Sequence, residues 1–255
     1  MADAQATAHA GERLALSTDG STLSGDPSGS SASGSGGSAT WIQQFSGDRV
    51  LGVGAEYQQF ANAHWTAGTL SGSIGLGQGQ RRLHLYAEVR RGAGGIGTRP
   101  FDYSLLAAGA SGSLAPRVTL QVEERRIDID TSHGHLPKAS LSILATPNLS
   151  ATASYARSAG GNLGTRLSSL RLDYNDNHRR GMAGVVWGPA APAVVDLVGQ
   201  KLVPGASLTE GYVGLGRSVG RATWLVIGDY QNVAGTRRAS ITLNCILTLR
   251  DYAPP

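Results

Sequence analysis

Charged side chains recur at every second position in several short segments of the chain. The segment from Arg82 to Arg90 is the clearest case, because its charged residues alternate with leucine, alanine and valine. Since successive side chains of a β-strand point to opposite faces, the charges of such a segment share one face. Along the whole chain, this alternation selects a set that we call the polar-face residues: Arg82, His84, Glu88, Arg90, Glu123, Arg125, Lys138, Arg171, Asp173 and Asp229.

A second pattern that could carry chemistry is Gly216-Arg-Ser218-Val-Gly220, which has the Gly-x-Ser-x-Gly spacing of a nucleophile elbow. That chemistry needs a turn from a strand into a helix, so that the serine hydroxyl is exposed. Here the next segment, from Arg221, alternates like another strand. The motif therefore predicts a hairpin turn, and no catalytic residue is assigned.

Metal-ligand residue types occur together at His133 and His135, close to Asp128 and Asp130. Imidazole and carboxylate groups can bind a transition metal, but a structural site normally needs four ligands. We therefore interpret the two histidines as solvated and expect neither a metal nor another cofactor. The single cysteine, Cys245, excludes an intramolecular disulfide.

The composition favours a β-barrel in a membrane. Only 16% of the 255 residues are charged, against about a quarter in an average soluble domain. No stretch approaches the ~18 consecutive apolar residues of a transmembrane helix. Low charge without a helical span is typical of a barrel whose polarity is hidden by alternation. A soluble, Gly/Ser-rich β-sandwich is the alternative.

The net charge of +4 is carried mainly by arginine, since Lys138 and Lys201 are the only lysines. There is no Lys/Arg run longer than a pair, which argues against nucleic acid as a partner. The N-terminus, Met-Ala-Asp-Ala-Gln-Ala, has neither the positive nor the apolar region of a signal peptide. We therefore interpret the sequence as the mature form of an exported protein.

Aromatic residues mark the ends of several apolar faces. In the final hairpin, Arg221 to Leu249, Trp224 and Tyr230 share one face and lie about 20 Å apart along the strand. An apolar band with an aromatic residue near each end is typical of a membrane-spanning strand. The predicted aromatic girdle consists of Tyr57, Tyr155, Tyr174, Trp187, Trp224 and Tyr230.

The spacing of turns predicts an all-β, antiparallel up-and-down transmembrane barrel of about 16 strands, with 14 as the nearest alternative. The larger number assumes that Asp19-Gly20 splits the first strand and that Val194 to Val203 forms another. Short turns are expected at residues 46–48, 77–79, 115–116, 146–148 and 175–178. Longer loops are expected at residues 24–37, 92–98, 127–137 and 159–165.

The chain divides into a flexible leader at residues 1–11, one barrel domain at 12–250 and a short tail at 251–255. The last strand should pair with the strand that begins near Glu12 and so close the barrel. Every second residue of each strand would then face the lumen, where the polar-face residues would form a charged lining.

Over residues 12–250 this pattern resembles bacterial outer-membrane β-barrels, either porin-like or like the barrel module of exopolysaccharide exporters. The resemblance implies a location in the bacterial outer membrane. It also implies contact with membrane lipid and lipopolysaccharide, with the barrel-insertion machinery and with a periplasmic partner. One departure is the end of the last strand, where the usual terminal aromatic is absent and Tyr252 is the nearest.

Two functions follow from this interpretation. The first is an outer-membrane channel with an arginine-rich lumen that passes small anionic solutes or exports an anionic polymer or polysaccharide. The alternative is a non-transporting barrel that serves as an anchor, surface-binding protein or receptor through its long loops. An enzyme is not expected, and a hydrolase at the rim is the weakest option because strand parity assembles no catalytic cluster.

Overall fold

Fourteen β-strands make up most of the part of the chain that the structure describes. The structure is a computed structural model, and it describes residues 11–24, 32–45, 48–60, 63–77, 82–129, 132–176, 178–190, 206–233 and 236–251. The strands are β1 Gly11–Ser24, β2 Ala32–Phe45, β3 Arg49–Phe60, β4 Ala63–Leu76, β5 Leu83–Ile96, β6 Arg99–Ala115, β7 Val118–Ile129, β8 Ser132–Thr146, β9 Leu149–Arg157, β10 Arg166–Asn175, β11 Arg179–Ala190, β12 Ala206–Val219, β13 Ala222–Val233 and β14 Thr236–Asp251. No helix in these ranges is long and apolar enough to cross a membrane.

The strands form one closed antiparallel barrel in which each strand pairs with its neighbours in sequence. The barrel closes where β14 pairs with β1, from Glu12 opposite Arg250 to Ser24 opposite Arg237. The predicted pairing of the last strand with a strand near Glu12 is therefore confirmed. Closure leaves no unpaired sheet edge among these strands, which is what a barrel in lipid requires.

The predicted number of about 16 strands is wrong, and the nearest alternative of 14 is correct. Asp19 and Gly20 do not turn. They lie within β1, where Asp19 pairs with Thr242 on β14 and with Gly36 on β2. Ladder hydrogen bonds on both sides hold this dipeptide extended despite its turn propensity. The predicted strand Val194 to Val203 lies outside the described residues, and β11 pairs directly with β12.

Two of the predicted long loops, 92–98 and 127–137, are largely strand, and part of a third, 24–37, is strand where the structure describes it, since residues 25–31 lie outside the described residues. Residues 32–37 begin β2, residues 92–96 end β5, and most of 127–137 belongs to β7 and β8. The last segment was misread because its polarity is reversed. Ile127, Ile129 and Leu136 are buried inside the barrel, while Asp128, His133 and His135 between them face outward. The fourth loop, 159–165, is confirmed.

The two ends of the barrel differ in their connections. At one end, which we call the turn rim, the strand bounds leave connections of two to six residues at the positions of the predicted short turns, of which residues 46–47, 78–79 and 177 lie outside the described residues. The opposite end, the loop rim, carries the longer connections 25–31, 158–165 and 191–205. The start of β1 and the end of β14 lie at the turn rim. Residues 1–10 and 252–255 of the predicted leader and tail are outside the described residues.

The outer wall of the barrel is apolar. Large hydrophobic side chains alternate along the strands with an exposed face, for example Leu170 and Leu172 on β10 and Val213 and Leu215 on β12. All six residues of the predicted aromatic girdle share this outer face, with 41% to 49% of their surface exposed. In water such a wall would be an unusually large apolar patch, whereas in a bilayer it is the surface that contacts lipid.

Candidate functional site

The candidate site is the lumen, and strand register determines which side chains reach it. On β5, for example, Leu83, Leu85 and Val89 are exposed outside, so His84, Glu88 and Arg90 lie on the inner face. The same parity places the other polar-face residues inside: Glu123 and Arg125 on β7, Lys138 on β8, Arg171 and Asp173 on β10, and Asp229 on β13. Arg82 precedes β5 and forms an ion pair with Asp48 at the turn rim.

Several inner side chains reach across a neighbouring strand to a partner two strands away. Gln58 on β3 passes over Gly36 on β2 and donates a hydrogen bond to Asp19 on β1, with an Nε2–Oδ1 distance of 3.0 Å. A Cβ at position 36 would lie 2.1 Å from the Gln58 carboxamide. The glycine therefore provides the space that this bridge needs.

A second bridge of this kind organises the centre of the lumen. Tyr86 on β5 lies over Gly109 on β6, where a Cβ would be 2.5 Å from the phenol ring. Its hydroxyl donates a hydrogen bond to Glu123 on β7 and accepts one from Gln121 Nε2 at 3.0 Å. Arg125 also forms an ion pair with Glu123. The Glu123 carboxylate, nearly buried, is thus held by two partners.

The remaining inner charges are mostly paired with nearby opposite charges. Arg90 forms ion pairs with Glu56 at 3.1 Å and with Glu88 at 3.2 Å. Arg171 donates from Nε to Asp173 Oδ2 at 2.7 Å and from Nη2 to Oδ1 of the same carboxylate. Pairing of this kind stabilises charges that the lumen wall partly removes from water.

Lys138 differs from these residues because no ion pair with a carboxylate is found for it among the described residues. The charged groups that act on it are Glu123, Arg125 and Arg171. Glu123 is already engaged by Arg125 and Tyr86, and Asp173 by Arg171. We call Glu123, Arg125, Lys138, Arg171 and Asp173 the Lys138 cluster. Its three cations and two carboxylates leave one uncompensated positive charge in the lumen.

The lumen is not cationic throughout. On the arc formed by β12–β14 and β1–β5, the inner carboxylates away from the rims outnumber the cations. The carboxylates are Asp19, Glu56, Glu88, Glu210 and Asp229, and the cations are Arg90 and Arg238. The Lys138 cluster on β7–β10 is therefore a local positive region opposed by an acidic arc.

A cavity of about 400 Å³ opens below the Lys138 cluster at the turn rim. Its inner wall includes Ser150, Arg171, Asp173 and Arg180, together with the apolar side chains of Met182 and Leu225. Charged and other polar groups therefore make up about half of this lining, and apolar side chains make up the rest. In this cavity the arginines form a basic part of the wall that adjoins the apolar part formed by Met182 and Leu225.

An apolar cluster lies on one side of the lumen, in the half near the loop rim. It contains Trp65, Ala67, Phe101, Tyr103, Ile127, Ile129, Leu136, Ala156 and Leu163, all buried. Eight of these residues come from the inner faces of β4 and β6–β9, and Leu163 comes from the loop between β9 and β10. The cluster narrows the barrel on this side, because its side chains exclude water from the space they occupy.

The loop that carries Leu163 is hydrogen-bonded along the edge of β8. His135 and Ala159 exchange backbone hydrogen bonds at 3.2 and 2.9 Å, and the Asn162 amide donates to the His133 carbonyl at 2.9 Å. Gly161 has φ of +65°, and a Cβ there would lie 1.9 Å from the His133 carbonyl oxygen. The loop thus continues the sheet beyond the end of β9 and directs Leu163 inward.

The motifs that could have carried chemistry have structural roles here. His133 and His135 anchor this loop through their backbones, and the His135 ring contacts Glu124 at 3.0 Å. Within the described ranges, no group of three or more His, Cys, Asp or Glu side chains is placed to hold a metal. Ser218, the second-last residue of β12, hydrogen-bonds to Thr223 at 3.0 Å across the turn at Gly220-Arg221, so the hairpin interpretation is confirmed.

Sequence reasoning missed two kinds of lumen residue. Arg180 and Glu210 have inner parity on β11 and β12, so a stricter use of alternation would have found them. Trp65, Phe101 and Leu163 could not be found in this way, because the rule assumed that every apolar side chain faces outward. One sequence signal was available: β7 has apolar residues on both of its faces, with Val122 on one face and Ile127 and Ile129 on the other.

Comparison with known proteins defines the fold. No protein-family model and no curated protein sequence matches the chain. Among solved structures, the monoaromatic hydrocarbon channel CymD matches with a TM-score of 0.63 at 10% identity, covering 96% of this chain and 90% of that one. A FadL homologue of Pseudomonas aeruginosa matches with 0.59 at 10% identity, covering 94% and 91%.

The outer membrane protein Omp33 of Acinetobacter baumannii matches with a TM-score of 0.52 at 13% identity, covering 95% of this chain and 100% of that one. These similarities extend over nearly the whole chain and include the closed barrel. The chain therefore has the fold of a bacterial outer-membrane β-barrel, as the alternation of its sequence predicts.

Proposed function

We propose that this protein is an outer-membrane channel for small organic anions. The observation that carries the proposal is the Lys138 cluster, in which a lysine without a carboxylate partner of its own lies between two arginines inside a closed barrel. An anion entering the lumen would complete the charge balance of this cluster. Local charges lining a pore are a general basis of ion selectivity.

The cavity at the turn rim supports a solute that is both anionic and partly apolar. Arg180 could bind a carboxylate, and Met182 and Leu225 could contact a short hydrocarbon part, while Arg171 stays paired with Asp173. We favour small solutes over an anionic polymer because the apolar cluster occupies the β4–β9 side of the lumen near the loop rim. CymD, a barrel of the same fold, is named as a hydrocarbon channel, which supports transport as the class of function.

In the proposed orientation, the turn rim faces the periplasm and the loop rim faces the cell exterior, since bacterial barrels have short periplasmic turns. The outer wall would contact membrane lipid and lipopolysaccharide. The barrel-insertion machinery and a periplasmic partner stay predictions.

Osmotic swelling of liposomes that contain the purified protein tests this function. We expect faster entry of a short-chain carboxylate than of a neutral sugar or an organic cation of similar size. Lys138→Gln should reduce carboxylate entry and leave sugar entry unchanged. Arg217→Gln removes an arginine from the outer face near the turn rim and is the matched control. Equal entry of all three solutes would rule out the anion preference.

The apolar cluster favours a second candidate, a barrel that does not transport. Leu163 has no exposed surface, and its loop is hydrogen-bonded in place. If the lumen is blocked here, folded protein would give no swelling with any solute. Function would then depend on the loop rim, and removal of a long loop would abolish binding at the surface while lumen substitutions would not.

A further inference from the structure

Two arginines face each other on the outer surface at the loop rim. Arg157 ends β9 and Arg166 begins β10, and the two residues are directly paired in the sheet. Both side chains are exposed on the same face as Tyr155 and Leu170. Like charges directly opposite each other destabilise a sheet. No carboxylate partner is found for either arginine in the part of the chain that the structure describes.

The pair lies at the boundary between the apolar wall and the polar rim. Tyr155 is the next outward-facing residue of β9 toward the middle of the barrel. The Arg166 guanidinium lies over the Tyr155 ring, 6.0 Å from its centroid. Closer to the loop rim, the outward-facing residues of β7 are polar, and Arg126 forms an ion pair with Asp128 at 3.0 Å. In a bilayer, an aromatic residue followed by cations is located at the level of the lipid headgroups.

An apolar groove runs down the outer wall from this boundary. It has a volume of about 670 Å³, and its lining includes Ala108, Ala110, Val122 and Ala139, with Tyr155, Arg157 and the carboxylate of Glu124, which contacts His135, at its upper end. Small alanine side chains between larger neighbours make the depression. A hydrocarbon chain would fill such a groove, and an anionic group at its end would meet the arginines.

We propose that Arg157 and Arg166 bind the phosphate of an outer-leaflet lipid, one of whose acyl chains lies in the groove between β6 and β9. The phosphate oxygens would accept hydrogen bonds from both guanidinium groups, which relieves the repulsion between them. Arginine suits this role because its planar fork of donors matches phosphate geometry. The inference rests on the proposed orientation, with the loop rim at the cell exterior, and is independent of what passes through the lumen.

Native mass spectrometry of the full chain in detergent, titrated with phosphorylated lipid A, tests the proposal. We expect bound lipid on the unaltered protein, and apparent affinity weakened by about tenfold or more in the double variant Arg157→Gln/Arg166→Gln. The double lysine variant should retain part of the binding. Arg126→Gln, which removes a rim arginine that already has a carboxylate partner, should bind as the unaltered protein does.

Two further arms separate the lipid from a free anion. Lipid A without its phosphates should bind weakly, and Ala110→Phe, which fills the groove, should weaken binding of the phosphorylated lipid. Inorganic phosphate should compete only at concentrations far above that of the lipid. Unchanged lipid binding by the double glutamine variant, equal binding of the dephosphorylated lipid, or equally tight binding of inorganic phosphate would each overturn the proposal. Heat-modifiable gel mobility verifies that every variant is folded.

Discussion

Tyr86 and Glu123 are hydrogen-bonded across an intervening strand, and Gly109 on that strand provides the space for the contact. The bridge connects β5 to β7 without any contribution from a side chain of β6. It also helps to fix the carboxylate that pairs with Arg125 in the Lys138 cluster. The position of a charged group at the lumen centre therefore depends in part on a residue that carries no charge.

Gly109→Ala should break this bridge without disrupting the barrel. The new Cβ would lie 2.5 Å from the end of the Tyr86 ring, which can rotate away because it is the flexible end of a side chain. We expect a loss of about 1–2 kcal/mol in the free energy of unfolding, measured by denaturant titration in detergent. Gly228→Ala is the control, since no atom lies within 4 Å of its added Cβ. Equal stability of the two variants would contradict the bridge.

Alternation alone predicted that Glu123 faces the lumen, but it could not predict the contact with Tyr86. That contact depends on which strand lies between β5 and β7 and on the register that brings Gly109 under the ring. The strand order and the register both depend on where the turns between β5, β6 and β7 lie. The sequence predicts only some of these turns correctly, because it places a loop at Gly92 where β5 continues. The face to which a side chain points can be read from neighbouring residues, whereas the alignment of distant strands depends on the register of every strand pair between them.

The apolar cluster is the part of the lumen that sequence reasoning misassigned. Trp65 and Phe101 alternate with polar residues as cleanly as the wall residues do, but they face inward. One-dimensional periodicity gives two faces and does not say which is the inside. Assigning these residues to the inside requires knowing that Leu163 packs against them, and the position of its loop depends on backbone hydrogen bonds to β8.

Leu163→Ala should destabilise the barrel and widen the lumen. The side chain is fully buried, and its truncation leaves a cavity that we expect to cost about 2–4 kcal/mol in unfolding free energy. Leu215→Ala on the outer wall, where 72% of the side chain is exposed, should have a smaller effect because no cavity forms. Denaturant titration compares the two variants. An equal effect would show that Leu163 is not packed in the lumen.

The register of the barrel closure can be tested through the single cysteine. Leu16 on β1 is directly opposite Cys245 on β14, at the Cα separation that a disulfide accepts. Oxidised Leu16→Cys should therefore form a disulfide and lose its free thiols, as measured by thiol titration of the unfolded protein. Thr18→Cys is opposite Leu243 and should stay reduced. A disulfide in Thr18→Cys but not in Leu16→Cys would contradict the register.

Asp176, at the turn rim, should make a pH-dependent contribution to the free energy of unfolding. Hydrogen bonds from the backbone amides of His178 and Arg179 lower the pKa of its exposed carboxyl. Because the folded-state pKa lies below the unfolded one, the contribution is complete above the unfolded pKa and is lost as the pH falls through the folded value.

Asp176→Ala should therefore destabilise the protein at neutral pH, and the difference from the unaltered protein should shrink under acid conditions. Asp176→Asn should lose less at neutral pH, since its side-chain oxygen can still accept from the turn. Thermal unfolding at a series of pH values measures both variants. A difference that does not change with pH would show that the carboxylate charge has no role.

The ion selectivity of single channels tests the central claim most directly. In a planar bilayer under a potassium chloride gradient, the folded protein should give conductance steps whose reversal potential shows preference for chloride. Lys138→Gln should move the reversal potential toward zero by removing the uncompensated charge of the Lys138 cluster. A preference for potassium, or the absence of conductance from protein verified as folded and inserted, would contradict an anion channel.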